Sequence, residues 1–218
     1  MIERKFLKDK KKQLEIHTYI SESLNNVGHA KTELVKTPLG DKIIIHAARP
    51  GLVVGKKGEN IKRITSAMRK KFQLDNPEIE IKEVSNQMLD ARIVAERIAS
   101  TLQRYGSQRF KGTVHRVIQD VLNAGALGIE ILISGKIPSA RAKNWRFYKG
   151  YLKKCGDVAI EGVSHAVCKA EIKSGSIGIK VNIMPPDIEL PDKLELIKEE
   201  PVKEVVTEEP VKNEVQGN

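Results

Sequence analysis

The chain has 218 residues, enough for one large or two small domains, and 40% of them are apolar, an ordinary share for a folded soluble protein. Aromatic residues make up only 4%, which argues against a binding surface built mainly from stacked rings, and no apolar run reaches the length of a membrane span. The net charge of +10 is unevenly placed: from Asp187 onward ten acidic and four basic side chains give −6, so residues 1–186 carry +16, and a folded body that basic usually faces a polyanion.

In chain order, Met1 to Lys5 show no signal-peptide pattern, and a cytoplasmic chain is expected. Ile16, Ile20, Leu24 and Val27 recur at helical spacing and predict a helix ending near Gly28. Leu34-Val35 predicts a short strand, followed by a turn over residues 38–41. Ile43-Ile44-Ile45 is a continuous apolar run, as expected of a strand buried on both faces. Pro50 to Val54 reads as a short helical turn. Ile61, Ile64, Met68 and Phe72 mark one side of a second helix, with Lys62 and Arg63 on its polar side. Ile79 and Ile81 alternate with Glu78, Glu80 and Lys82 as a strand. Ala91, Val94, Ile98 and Leu102 line the inner face of a long helix. The expected first domain therefore covers 1–105 in the order α-β-β-α-α-β-α.

A second region, 106–186, begins near Gly106. Val114, Val117, Ile118, Val121 and Leu122 form a helical stripe closed by Gly125. Ile129, Ile131 and Ile133 alternate as a strand; residues 156–172 hold a strand-like stretch of mixed pattern; Ile177, Ile179, Val181 and Ile183 give the cleanest alternation in the chain. The expectation is a small α+β unit with a mostly antiparallel sheet. Residues 187–218 repeat Glu-Glu-Pro-Val-Lys and lack core-forming side chains, so an acidic, disordered tail is expected. Cys155 and Cys168 form no CxxC pair and the five histidines lack ligand spacing. Two buried, reduced thiols and no metal site are expected.

Three Gly-x-x-Gly matches occur. Gly125 to Gly128 lies where a helix gives way to a strand, and Gly175 to Gly178 lies between two strands, so a helix cap and a hairpin turn account for them. Only Gly55-Lys56-Lys57-Gly58 joins two helical segments inside a β-α-α-β unit and carries two cations. Glycines let the backbone approach a sugar-phosphate chain without Cβ interference, and the following helix presents its amide end to phosphates. That context is the signature of a KH module, in which such a loop clamps about four nucleotides of single-stranded RNA. Lys62 and Arg63 extend the cationic surface along the helix, and Ile45, Val53 and Val54 are candidate groove walls, although plain core is the better reading of all three. A Walker-type phosphate loop over Gly51 to Lys57 fails, because only three residues separate its glycines and Lys57-Gly58 replaces the required Ser or Thr after lysine.

From Lys136 to Lys154 there are seven cations and no acid, with Trp145, Phe147, Tyr148 and Tyr151 interleaved. The rings are expected mostly in the core and the cations mostly on RNA, with Arg141, Lys143, Arg146 and Lys149 as candidates. Phosphate contacts of this kind position a protein rather than read sequence.

The phrase Ile45-His-Ala-Ala-Arg-Pro-Gly-Leu-Val-Val-Gly-Lys-Lys-Gly-Glu-Asn60 resembles the KH segment of the universal family of small-subunit ribosomal protein number three. So do the phrases Gly125 to Lys136 and Gly178 to Ile183, and Arg4-Lys5-Phe6 extends the match to roughly residues 3–186. Arg141-Ala-Lys143 and the opening phrase resemble the archaeal and eukaryotic branch. The resemblance implies an α+β chain: an N-terminal type II KH domain, then a second small α+β domain, seated in the head of the small subunit. It implies small-subunit ribosomal RNA, neighbouring head proteins and messenger RNA (mRNA) at the channel by which it enters as partners, with no membrane and a cytoplasmic, ribosome-bound location. In some relatives a cationic cluster at the start of the second domain's helix helps to unwind messenger. Gly112 and His115 replace cations there, so only Lys111 and Arg116 carry over. No catalytic dyad, cofactor or metal cluster can be assembled from the sequence. A free-standing KH regulator of mRNA is the alternative, and an enzyme is not expected.

Overall fold

A computed structural model describes residues 2–24, 27–38, 40–74, 76–137, 141–188 and 190–191. The described residues up to 188 form one compact unit, and the expected disordered tail falls, from residue 192 on, outside the described residues.

The chain opens with helix α1, Ile2–Ser23, which is far longer than its apolar stripe. Its C-terminal half is anchored by the buried Ile16 and Ile20, whereas Ile2, Phe6, Leu7 and Leu14 are exposed. The predicted end near Gly28 is corrected: the helix stops at Ser23, and Gly28 at φ +77° turns the chain into the first strand. Strands β1, His29–Thr37, and β2, Gly40–Ala47, pair antiparallel. Helix α2, Pro50–Val54, and helix α3, Glu59–Phe72, follow, and β3, Glu78–Glu83, returns parallel to β2. The sheet order is β1-β2-β3, so Ile43, Ile44 and Ile45 lie on the central strand and are all buried. Ile43 and Ile45 join Ile16, Ile20, Ile64 and Met68 in the first core. This is the α-β-β-α-α-β order expected, with the parallel closing strand.

Helix α4, Ala91–Tyr105, begins at Asp90, whose carboxylate accepts from the Arg92 and Ile93 amides at 2.9 and 3.4 Å. It stops at Gly106, whose amide donates to Leu102 O at 2.9 Å. Helix α5, Phe110–Asn123, follows after a short bend. Strands β4, Gly128–Gly135, β5, Lys143–Gly150, β6, Ser164–Ile172, and β7, Gly175–Met184, form a sheet in the order β5-β4-β7-β6, antiparallel throughout. Ile129, Ile131 and Ile133 on β4 and Ile179, Val181 and Ile183 on β7 point into one layer beneath α4 and α5 and are fully buried.

The structure corrects or refines further sequence expectations. Ala91, Val94, Ile98 and Leu102 are buried as expected, but in the second core, because a helical stripe shows that a face is covered and not which sheet covers it. We therefore draw the division between domains in the segment joining β3 to α4 rather than at residue 105. The mixed stretch at 156–172 resolves into a π-helical turn, Val158–Gly162, and strand β6. The β6–β7 turn sits at Lys173-Ser174, and Gly175 already pairs with Ile172. Of the two thiols, only Cys168 is half-buried; Cys155 is exposed, and both are free.

Candidate nucleic-acid interface

Gly55, Lys56, Lys57 and Gly58 connect α2 to α3 in a single tight turn. Gly55 adopts φ +71° with ψ −178°, a region essentially restricted to glycine, and Gly58 sits at φ +74°. Between them Lys57 takes φ +53°, a left-handed conformation costing about 1–2 kcal/mol for a residue with a side chain. This backbone turns Lys56 and Lys57 outward; both are exposed, and neither side chain makes a hydrogen bond or ion pair among the described residues. Gly58 is the N-cap of α3 and supplies no side-chain cap; the Glu59 amide turns back onto Lys56 O, and the positive end of the helix dipole lies at the loop. Lys62 and Arg63 stand exposed on the next turn. Glu59 is the one acid at this end and works against them as an anion site.

The loop is braced from below. Asn60 Nδ2 donates to Leu52 O at 3.2 Å, tying the start of α3 to α2. Of the candidate groove walls, Ile45 and Val53 are fully buried core, as their plain reading had it, and only the half-buried Val54 reaches the surface beside the exposed Leu52.

The basic stretch after residue 136 contains an edge strand that the sequence reading did not assign. On β5 the side chains alternate: Trp145 and Phe147 turn inward, with ring centroids 5.6 and 6.2 Å from Phe110, while Tyr148 is exposed. The rings are thus divided rather than mostly core, since Tyr151 is exposed too. Lys111 and Lys143 both approach the Trp145 ring, with Nζ 4.5 and 4.7 Å from its centroid. Lys149 and Arg141 are exposed and have no ion-pair partner among the described residues.

Arg146 is different. Its guanidinium donates to Glu130, a buried carboxylate on the neighbouring β4, which also accepts from Lys154 at 2.9 Å and Asn182 at 3.3 Å. Burial alone would push the Glu130 carboxyl up, but the hydrogen bonds from Lys154, Arg146 and Asn182 outweigh it and hold the group below the usual carboxylate range. The charge of Arg146 is therefore offset inside the protein. Residues 136–154 contain no acid; the partner comes from the neighbouring strand, sixteen residues earlier in the chain.

The structure thus gathers the loop residues with Lys62 and Arg63, and separately gathers Lys111 with Lys143 and Trp145. It does not bring Lys111 and Arg116 together. Lys111 lies on the β5 side of α5, while Arg116 lines a cleft on the α4 side. Arg104 and Arg109 share that cleft and were missed, because only the packing of α4 against α5 brings them near each other.

A KH domain family matches residues 15–89, and the family described as ribosomal protein S3, C-terminal domain, matches residues 98–183. The small ribosomal subunit protein uS3 of Methanocaldococcus jannaschii is 41% identical over 209 residues, covering 96% of this chain and 100% of that protein. That of Methanosphaera stadtmanae is 37% identical, covering 99% and 83% respectively, and that of Haloarcula marismortui is 38% identical, covering 94% and 67%.

Proposed function

The chain belongs to the small ribosomal subunit protein uS3 family, and from that premise we propose that it is a structural constituent of the small ribosomal subunit, cytoplasmic and ribosome-bound, that holds ribosomal RNA in the subunit head. The observation that carries the RNA-binding part is the Gly55–Gly58 turn: left-handed backbone, two outward lysines without counter-charge and a helix start with no side-chain cap, all within a KH unit. Each feature is suited to phosphate, and together they offer backbone amides and mobile charge along one short path. The work is binding and positioning rather than catalysis. Neighbouring head proteins, and messenger RNA at the channel by which it enters, complete the proposed set of partners, with Lys111 and Lys143 as candidate messenger contacts.

Site-directed crosslinking from a photoreactive group at Lys56, with the chain assembled into small subunits, tests this reading. Crosslinks to ribosomal RNA of the head are expected; crosslinks confined to protein would overturn it.

A further inference from the structure

Among the described residues the two cores share no member, so no common apolar interior sets the angle between the two domains. Polar contacts from one side of α4 join them instead. Ala91, Val94, Ile98 and Leu102 belong to the second core, but Arg92 and Glu96, one helical turn apart, reach the KH domain. Glu96 Oε2 accepts from the Gly28 amide at 3.1 Å, and Arg92 donates to Ser21 Oγ on α1. Burial pushes the Glu96 carboxyl above the usual carboxylate range, partly offset by the amides of Gly28 and His29 and by Arg92. Gln87, just before α4, donates to Ala48 O at 2.9 Å. The anchor on the KH side is tightly packed: Gly28 O accepts from the Ala48 amide at 2.9 Å, and a Cβ on Gly28 would stand 2.8 Å from that of Ala48.

We propose that Arg92 and Glu96 are positioning residues that lock the KH domain and the second domain at one angle, so that the Gly55–Gly58 loop and the exposed Lys143 and Lys149 of β5 meet RNA as one rigid clamp. The proposal rests on the reading of the chain as an RNA-bound protein. Several observations favour a lock over ordinary surface bracing. Both side chains are half-buried, and a carboxylate withdrawn from water is stable only while its amide partners stay in place. Both contacts cross from a helix of the second core to the KH domain, over 68 residues of chain for Glu96 and 71 for Arg92. They end on two different elements, α1 and the turn into β1, so together they oppose rotation as well as separation. A fixed spacing removes the entropic cost of bringing two modest RNA sites into register, which only RNA long enough to span both can feel.

The test uses the full chain. Residual dipolar couplings of the backbone amides are measured for the parent, E96A, E96Q and S21A. Affinities are measured for a head-region fragment of small-subunit ribosomal RNA and for an oligouridylate too short to reach both domains. In the parent, couplings from the two domains should fit a single alignment tensor. E96A and S21A should each need two tensors while every domain keeps its chemical shifts, and E96Q, which retains an acceptor for the Gly28 amide, should return to one. Affinity of E96A for the ribosomal fragment should fall about tenfold, with that for the short oligonucleotide unchanged. S21A removes the Arg92 contact from the KH side, so the same measurements on it decide the matter if E96A does not fold. A single tensor in the variants would overturn the lock. Two tensors with unaltered affinity for the fragment, or equal losses for both RNAs, would overturn the clamp. A parent that binds neither RNA would overturn the clamp together with the functional reading, and the couplings, which need no RNA, tell that failure from a failure of the lock.

Discussion

The side-chain amide of Asn60 occupies the space that a Cβ on Gly55 would need: such an atom would stand 2.6 Å from Asn60 Nδ2. Asn60 cannot simply turn away, because that amide donates to Leu52 O and fixes the start of α3. Glycine at 55 is thus required twice, by its backbone angles and by its neighbour.

Gly55→Ala should therefore destabilise the protein by about 1–3 kcal/mol and displace the loop, weakening RNA binding as well. Gly58→Ala meets no atom within 4 Å and incurs only the left-handed penalty, about 1–2 kcal/mol. Urea unfolding of both variants checks the difference; equal losses would mean that Asn60 does not set the requirement.

Replacing Lys56 and Lys57 with Asp should weaken RNA binding while leaving the fold intact, since both side chains are exposed and pack against nothing. Two lost phosphate contacts lower the single-strand salt slope by about one and a half units, and two added anions beside the phosphate path weaken binding beyond a matching alanine pair. Circular dichroism checks the fold and a salt titration checks the slope. An unchanged affinity would make the loop ornamental.

Glu130→Gln should destabilise the second domain by about 1–3 kcal/mol, because a buried acceptor of three hydrogen bonds loses its charge. Its folded-state pKa is depressed, so the parent's stabilisation from this group is present above the unfolded carboxylate range and is lost as pH falls through the lower folded value. The Gln variant should show a smaller loss on acidification below pH 4, read from urea midpoints. Identical acid profiles would show that the pairing with Arg146 and Lys154 contributes nothing.

His29 gives a second, separable pH dependence. It is fully buried, its Nε2 lies 2.7 Å from Thr32 Oγ1 and its Nδ1 has no hydrogen-bond partner among the described residues. Burial, then the nearby Arg92, His17 and His46, lower its pKa from 6.5 to about 4. The fold holds the neutral ring, so stability is full above pH 6.5 and declines as pH falls from there to about 4, by on the order of 3 kcal/mol at most. His29→Gln should flatten that decline between pH 6.5 and 4.5; a variant as pH-sensitive as the parent would assign the effect elsewhere.

Much of this architecture was legible because it depends on period and punctuation. Ile177 to Ile183 read as a strand, and Ala91 to Leu102 as a helix, from spacing alone, and the Gly55–Gly58 loop was separated from its two look-alikes by its helical flanks. What spacing does not carry is partnership. The inner and outer sides of β5 were encoded in the alternation of Trp145 and Phe147 with Arg146 and Tyr148, yet the crowd of cations masked the strand. The pairing of Arg146 with Glu130 needs the β4–β5 register, and the cluster of Arg104, Arg109 and Arg116 needs two helices packed together. The first half of α1 lacked a signal of another kind: it is helical through Lys-rich propensity, with no buried apolar residue to mark it.

The central claim, that this chain is built into the small ribosomal subunit, is tested most directly by sedimentation. A lysate of growing cells, run through a low-salt sucrose gradient, should show the chain travelling with the small subunit and with whole ribosomes, and it should remain there after light nuclease treatment of messenger. Recovery mainly in the free soluble fraction at the top of the gradient would contradict the account.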